Sequence, residues 1–176
     1  MPASAPDTPA APDPDAVANP AIAFRQLMGQ FATGVAVVSH LSETGGISAM
    51  TINSLVSVSL DPMLVSWSLQ NSSSQFDAYA NAEQFAISIL AEGQQVLARR
   101  YAARGDAALL PEDFVSDECG LPLIKGALGH LACRRFAAHP AGDHTIILGE
   151  VTGMGRVSAA TRPLLFFGGR FGALSA

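Results

Sequence analysis

The chain has 176 residues, 49% of them apolar and only 14% charged, against about 25% charged in an average soluble domain. Its net charge of −5, with Lys125 as the one lysine among ten basic residues, excludes the basic stripe of a nucleic-acid binder. The length suits one domain with a sizeable core, and so little charge implies a partly covered surface, expected as the interface of a homodimer.

The opening MPASAPDTPAAPDPDAVANP is too rich in Pro, Ala and Asp to build a core, so residues 1–20 are expected as a disordered tail and residues 21–176 as the folded domain. It has neither the basic n-region nor the apolar h-region of a secretory signal. No apolar run approaches the roughly 18 residues of a membrane span, so a cytoplasmic protein is expected. Cys119 and Cys133 form no CxxC or metal spacing and read as reduced thiols. No metal is expected.

AIAFRQLMGQFATG predicts a helix, with Ile22, Phe24, Leu27, Met28 and Phe31 as its apolar stripe and an end near Gly34. The period then changes to that of strands. GVAVVSHL is one strand, ETGG a turn, and ISAMTINSLVSVSLDP two more strands stopped by Asp61-Pro62. MLVSWSLQ alternates cleanly, with Met63, Val65, Trp67 and Leu69 on one face. NSSS is a loop and SQFDAYANA a short helix. QFAISIL is a strand and EGQQVLARRYAAR an amphipathic helix, whereas residues 103–126 read as irregular. GALGHLACRRFAAH and HTIILGEVTGMG form a long hairpin around PAGD, and RPLLFFGGRFGAL supplies the last strand. Strands joined by short turns, without crossover helices, predict a mainly β fold, an antiparallel barrel with peripheral helices. GxGxxG and P-loop motifs are absent, which argues against a Rossmann-type nucleotide site.

If residues 51–59 are continuously extended, Thr51, Asn53, Leu55, Ser57 and Ser59 share one side, and Met50, Ile52, Ser54, Val56 and Val58 the other. Hydroxyls and an amide in such a row suit either a solvent face or the wall of an uncharged polar ligand site. QNSSSQ adds three serines just ahead of a helix, an arrangement compatible with a phosphate or with a plain loop. Taken together, stripe and loop point to a phosphate-bearing ligand with a polar chain.

The ordered segments FRQLMGQFATGVAVVS, GISAMTINSLVSVSLDPMLVSWSL, FAISILAEGQQVLARRYA, GALGHLACR, AGDHTIILGEV and PLLFFGGRFGAL resemble the flavin reductase family of two-component flavin-dependent monooxygenases, over roughly Phe24 to Leu174. The resemblance implies an FMN-binding split β-barrel, a homodimer, and transfer of a hydride from NADH or NADPH to FMN or FAD. The reduced flavin then passes to a separate monooxygenase. By position it implies cofactor binding by Thr51, Ile52, Asn53, Ser54 and Ser57, and a flavin phosphate near Ser72 and Ser73. Arg100, with Tyr101 and Ala102, matches the family's closing R-F-A, and its guanidinium would bind that phosphate. Asn71 stands where the family carries an arginine, Ile52 replaces a common alanine, and Gly168-Gly169-Arg170-Phe171 departs from R-G-R-Y.

Gly142-Asp143-His144 matches the family signature on the nicotinamide side. His144 would face the cleft and contact the nicotinamide, with Asp143 orienting its imidazole. Hydride passes directly between the two cofactors, so these residues would position rather than transfer protons. His40, His130 and His139 read as structural or surface residues. Two other readings remain open: a non-enzymatic flavin-binding or electron-carrier protein, and a split-barrel oxidase of a small phosphorylated substrate.

Overall fold

A computed structural model describes residues 19–42, 45–103, 108–156 and 162–174. The tail expected over 1–20 falls outside these residues except for Asn19 and Pro20. Asn19 already caps helix α1 (Pro20–Met28), its side-chain oxygen accepting from the Ile22 amide at 3.3 Å.

The centre is a seven-stranded antiparallel sheet in the order β3-β2-β6-β9-β10-β5-β4. Its strands are β2 (Ala36–Leu41), β3 (Ile47–Ile52), β4 (Val56–Leu60), β5 (Met63–Gln70), β6 (Gln84–Ile89), β9 (Gly129–Ala141) and β10 (His144–Arg156). The edge strands β3 and β4 are consecutive in the chain, joined only by residues 53–55. Seven flat strands would put their edges about 29 Å apart at the usual spacing. Four steps of chain, Ile52 to Val56, span at most about 14 Å. The sheet is therefore rolled up, and its two edges face each other without pairing. This is the expected barrel, with its split between β3 and β4.

That closure overturns the continuous stripe expected over residues 51–59. Extension ends at Ile52 and resumes at Val56, and a second irregularity falls between Ser57 and Ser59 where β4 meets β5. Ser54 ties this link to β5, its hydroxyl accepting from the Ser68 amide at 3.0 Å.

Alternation explains the interior. Ala36 and Val38 of β2 join Val65, Trp67, Leu69, Phe85 and Ile147 inside the barrel. Val35 and Val37 point outward, yet are buried with Ala98, Tyr101 and Leu164 beneath helix α3 (Gln95–Ala102). Trp67 meets the edges of Tyr79 and Phe85 at 5.7 and 5.9 Å. Tyr79 belongs to α2 (Phe76–Asn81) and donates to the Val38 carbonyl at 3.1 Å. In β5 the predicted inner face holds from Val65 to Leu69, while Met63 is exposed.

Several expectations are corrected. The stretch 103–126 contains a small hairpin, β7 (Phe114–Ser116) with β8 (Pro122–Ile124), too short to show alternation in sequence. The last segment is two strands, β11 (Leu165–Phe167) and β12 (Arg170–Gly172), which form a three-stranded sheet with β1 (Thr33–Gly34). Their turn is Gly168-Gly169, both at positive φ, the conformation that tight hairpins demand. The long hairpin turns at Gly142-Asp143 alone, with Pro140 inside β9 opposite Thr145. Pairing of β9 with β6 stops at Arg134, so Pro140 lies where β9 has one neighbour and no ladder bond is lost. Helix α1 forms but ends at Met28 rather than near Gly34, so Phe31 lies beyond it and Thr33–Gly34 become β1, and none of its residues is buried.

Cys119 is an exposed and Cys133 a buried free thiol; burial pushes the latter up to about 12. No helix among the described residues is long and apolar enough to cross a membrane.

His40 is buried against Tyr79, and His130 is half-buried beside Ser88. Desolvation lowers both imidazoles below the ordinary 6.5. Below 6.5 the unfolded chain then takes up protons that the native one refuses. The stability these residues contribute is complete above pH 6.5 and declines as pH falls from there through the lowered native values. Urea midpoints should be level between pH 7 and 8 and fall between pH 6.5 and 5. His40→Gln/His130→Gln should flatten that decline, and an undiminished slope in the double variant would refute the assignment.

Candidate active site

A cavity of about 600 Å³ opens where three elements converge. β3 contributes Ala49, Met50 and Thr51; the last residue of β5, Gln70, and the loop after it, Ser72 through Gln75, contribute a second wall; the C-terminal end of α3 contributes Tyr101 and Ala102. None of the described lining residues is charged. The Ser72 and Ser74 hydroxyls have no protein partner among the described residues, while Ser73 accepts from the Gln75 amide at 3.2 Å, making a tight hydroxyl turn. Since α2 is only six residues long, the hydroxyls rather than a helix dipole must supply the polarity here. The Thr51 hydroxyl donates to the Ala98 carbonyl at 2.9 Å, which ties β3 to α3 and leaves its lone pairs available to a ligand.

The β9–β10 turn adjoins this loop. His144 pairs across the sheet with Gln70, a lining residue. Asn71 then holds the turn at several points: its amide donates to the Asp143 carbonyl (3.0 Å), its side chain donates to the Gly142 carbonyl (3.2 Å), and it accepts from the Thr145 hydroxyl (2.8 Å). Gly142, at φ +67°, allows the two-residue turn. Asp143 Oδ1 lies 2.7 Å from His144 Nδ1, and this contact holds the carboxyl below its usual range. The His144 side chain is 41% exposed, open to a ligand.

Two other cavities, of about 760 and 720 Å³, share Cys119, Leu121 and Gln84 and are larger. Neither has the hydroxyl cluster or the Asp–His turn. Chemistry, not size, selects the site.

Residues 28–175 match the model of the flavin reductase like domain. The chain belongs to that family. Its curated relatives include the FMN reductase (NADH) SmoA of Agrobacterium fabrum, 48% identical over 155 residues and covering 86% of this chain and 85% of that protein. The NADH-dependent flavin reductase StyB of Pseudomonas fluorescens is 34% identical over 151 residues, covering 84% and 86%. Among solved structures, the Streptomyces globisporus NADH:FAD oxidoreductase SgcE6, in complex with NAD and FAD fragments, superimposes with a TM-score of 0.81 at 37% identity, covering 88% of this chain and 93% of that one.

In this flavin reductase, Thr51, Ser72 and Ser73 all line the cavity. Asp143 and His144 are not among its lining residues; His144 pairs with the lining residue Gln70, and the Asp143 carbonyl accepts from the Asn71 amide. The Ile52 side chain is buried in the barrel core, so only its backbone can face a ligand. Asn53 is exposed in the closing link, Ser54 bridges to Ser68, and Ser57 is exposed on the edge strand. Arg100 does not line the cavity; its guanidinium pairs with Asp113. Sequence reasoning missed Gln70, Gln75, Ala49 and Met50 as lining residues. Gln70 closes an alternating strand two residues before the first of the serines, which was the available signal. Asn71 appeared there only as a lost arginine, whereas here it braces the turn that carries His144.

Proposed function

We propose that the chain is an NADH-dependent flavin reductase that reduces FMN or FAD and releases the product to a separate monooxygenase. The observation that carries this reading is a hydroxyl-lined cavity, uncharged among its described residues, joined to the Asp143–His144 turn through Gln70 and Asn71. The donor set fits a flavin: Ser72, Ser73 and Ser74 would take the phosphate, and Thr51 lone pairs with the β3 backbone would receive polar groups of the chain and ring. When bound, flavin supplies the hydride-accepting nitrogen. Asn53, Ser54 and Ser57 belong to the segment that would flank the ring, through the link that closes the barrel. His144, oriented by Asp143, would set the nicotinamide at reacting distance.

A homodimer in the cytoplasm completes the proposal. Phe24, Leu27, Phe31 and Leu60 are 67%, 70%, 68% and 87% exposed, which is apolar surface that a second copy would cover.

NADH oxidation by flavin-stripped protein should depend on added FMN or FAD and proceed through many turnovers. Retained flavin that NADH fails to reduce would overturn the enzyme assignment in favour of a flavin carrier.

A further inference from the structure

Asp113 ends a short 3-10 turn, Pro111–Asp113, and is not among the cavity's lining residues, although it hydrogen-bonds to Tyr101, which is. Its Oδ2 accepts from both Arg100 Nη1 and the Tyr101 hydroxyl, each at 2.5 Å. Burial pushes the Tyr101 phenol up, so it stays a donor to the carboxylate, and its oxygen accepts from the Leu110 amide at 3.1 Å. The backbone fixes Asp113 from both sides: its amide donates to the Leu110 carbonyl and its carbonyl accepts from the Lys125 amide, both at 2.9 Å. The carboxylate cannot follow Arg100 if that side chain turns elsewhere. Arg100 immediately precedes the lining residues Tyr101, Ala102 and Ala103, yet is itself absent from the lining. Two neighbouring cations among the described residues are engaged too, Arg99 over the Phe171 ring at 5.1 Å and Lys125 Nζ donating to the Glu112 carbonyl at 3.1 Å.

We propose that Asp113 sets flavin affinity in this enzyme by holding Arg100 out of the cavity, in competition with the flavin phosphate. The inference rests on the reading of the cavity as a flavin site. An ion pair already formed must be surrendered before Arg100 can bind phosphate, so the phosphate adds little net affinity and the product leaves readily. Asp113 is thus a positioning residue acting through Arg100, and the ligand feature it governs is the 5′-phosphate.

The test titrates FMN and riboflavin, which lacks that phosphate, into the apo forms of wild type, Asp113→Asn, Arg100→Gln and the double variant. Asparagine keeps an acceptor for Tyr101 but releases the guanidinium. Asp113→Asn should tighten FMN by ~5-fold or more, as a freed charge-assisted bond allows, and leave riboflavin unchanged. That gain should vanish in the double variant. Arg100→Gln alone changes an exposed side chain and should alter FMN affinity by less than ~2-fold, since the ion pair already occupies it. An equal loss of FMN and riboflavin binding in Asp113→Asn would overturn the inference and leave Asp113 structural. A selective loss of FMN in Arg100→Gln would overturn it as well, because Arg100 would then already hold the phosphate. If wild type bound neither flavin, the flavin-site reading itself would fall, and this inference with it.

Discussion

Replacing His144 by alanine should lower kcat/KM for NADH by about 100-fold while changing FMN affinity by less than about 2-fold, since a misplacement near 1 Å at the reacting centre costs roughly that factor. The imidazole is partly exposed, opens the first strand position after the turn, and is held from its Nδ1 side by Asp143. It touches none of the hydroxyls that would hold the flavin phosphate, so binding and hydride transfer should separate cleanly. Asp143→Asn keeps a weaker acceptor for the ring and should cost about 10-fold by the same reasoning. Single-turnover reduction of bound FMN by NADH measures the step directly. An unimpaired rate in His144→Ala would remove the histidine from the mechanism and leave the turn as a hairpin only.

Gly149→Ala should destabilise the fold by about 2–3 kcal/mol and lower Tm by roughly 5–10 °C, near the upper end for overpacking one methyl into a tight core. An added Cβ at Gly149 would lie 2.6 Å from Phe85 Cζ and 3.2 Å from Cys133 Cβ. Phe85 cannot yield easily, because it is fully buried and packed on Trp67. Gly155, in the same strand, is the control: a Cβ there meets nothing within 4 Å, and Gly155→Ala should leave Tm within about 1–2 °C. Matching melts for the two variants would show that Phe85 moves aside.

The strands were readable because burial on one face leaves alternation, as in Val65, Trp67 and Leu69. The Asp–His pair was nominated by the family resemblance alone, since by its own chemistry such a pair equally suits a turn with a local hydrogen bond. Barrel closure was not readable. Periodicity describes a strand along its own axis, and nothing in Asn53-Ser54-Leu55 states that the chain must jump between the sheet's edges there. The hairpin of β7 and β8 escaped because three residues carry no period. Gly168-Gly169 did carry a turn signal, and reading past it merged two strands into one. Arg100 illustrates another limit: the motif places it beside the cavity, but its partner Asp113 comes from an irregular segment thirteen residues later. Local pattern can nominate a cation without revealing whether that cation is already spent.

The long hairpin has register shifts between Leu148 and Gly149 and between Val151 and Gly153. From Gly149 to His144 the strand runs five residues, about 17 Å of nearly rigid lever. A bend of only about 3° at that fulcrum would carry the imidazole roughly 1 Å, enough to cost a positioned reaction about 100-fold. On the role proposed for His144, the close fit of Gly149 against Phe85 sets an angle deep in the barrel that is magnified at the hairpin tip.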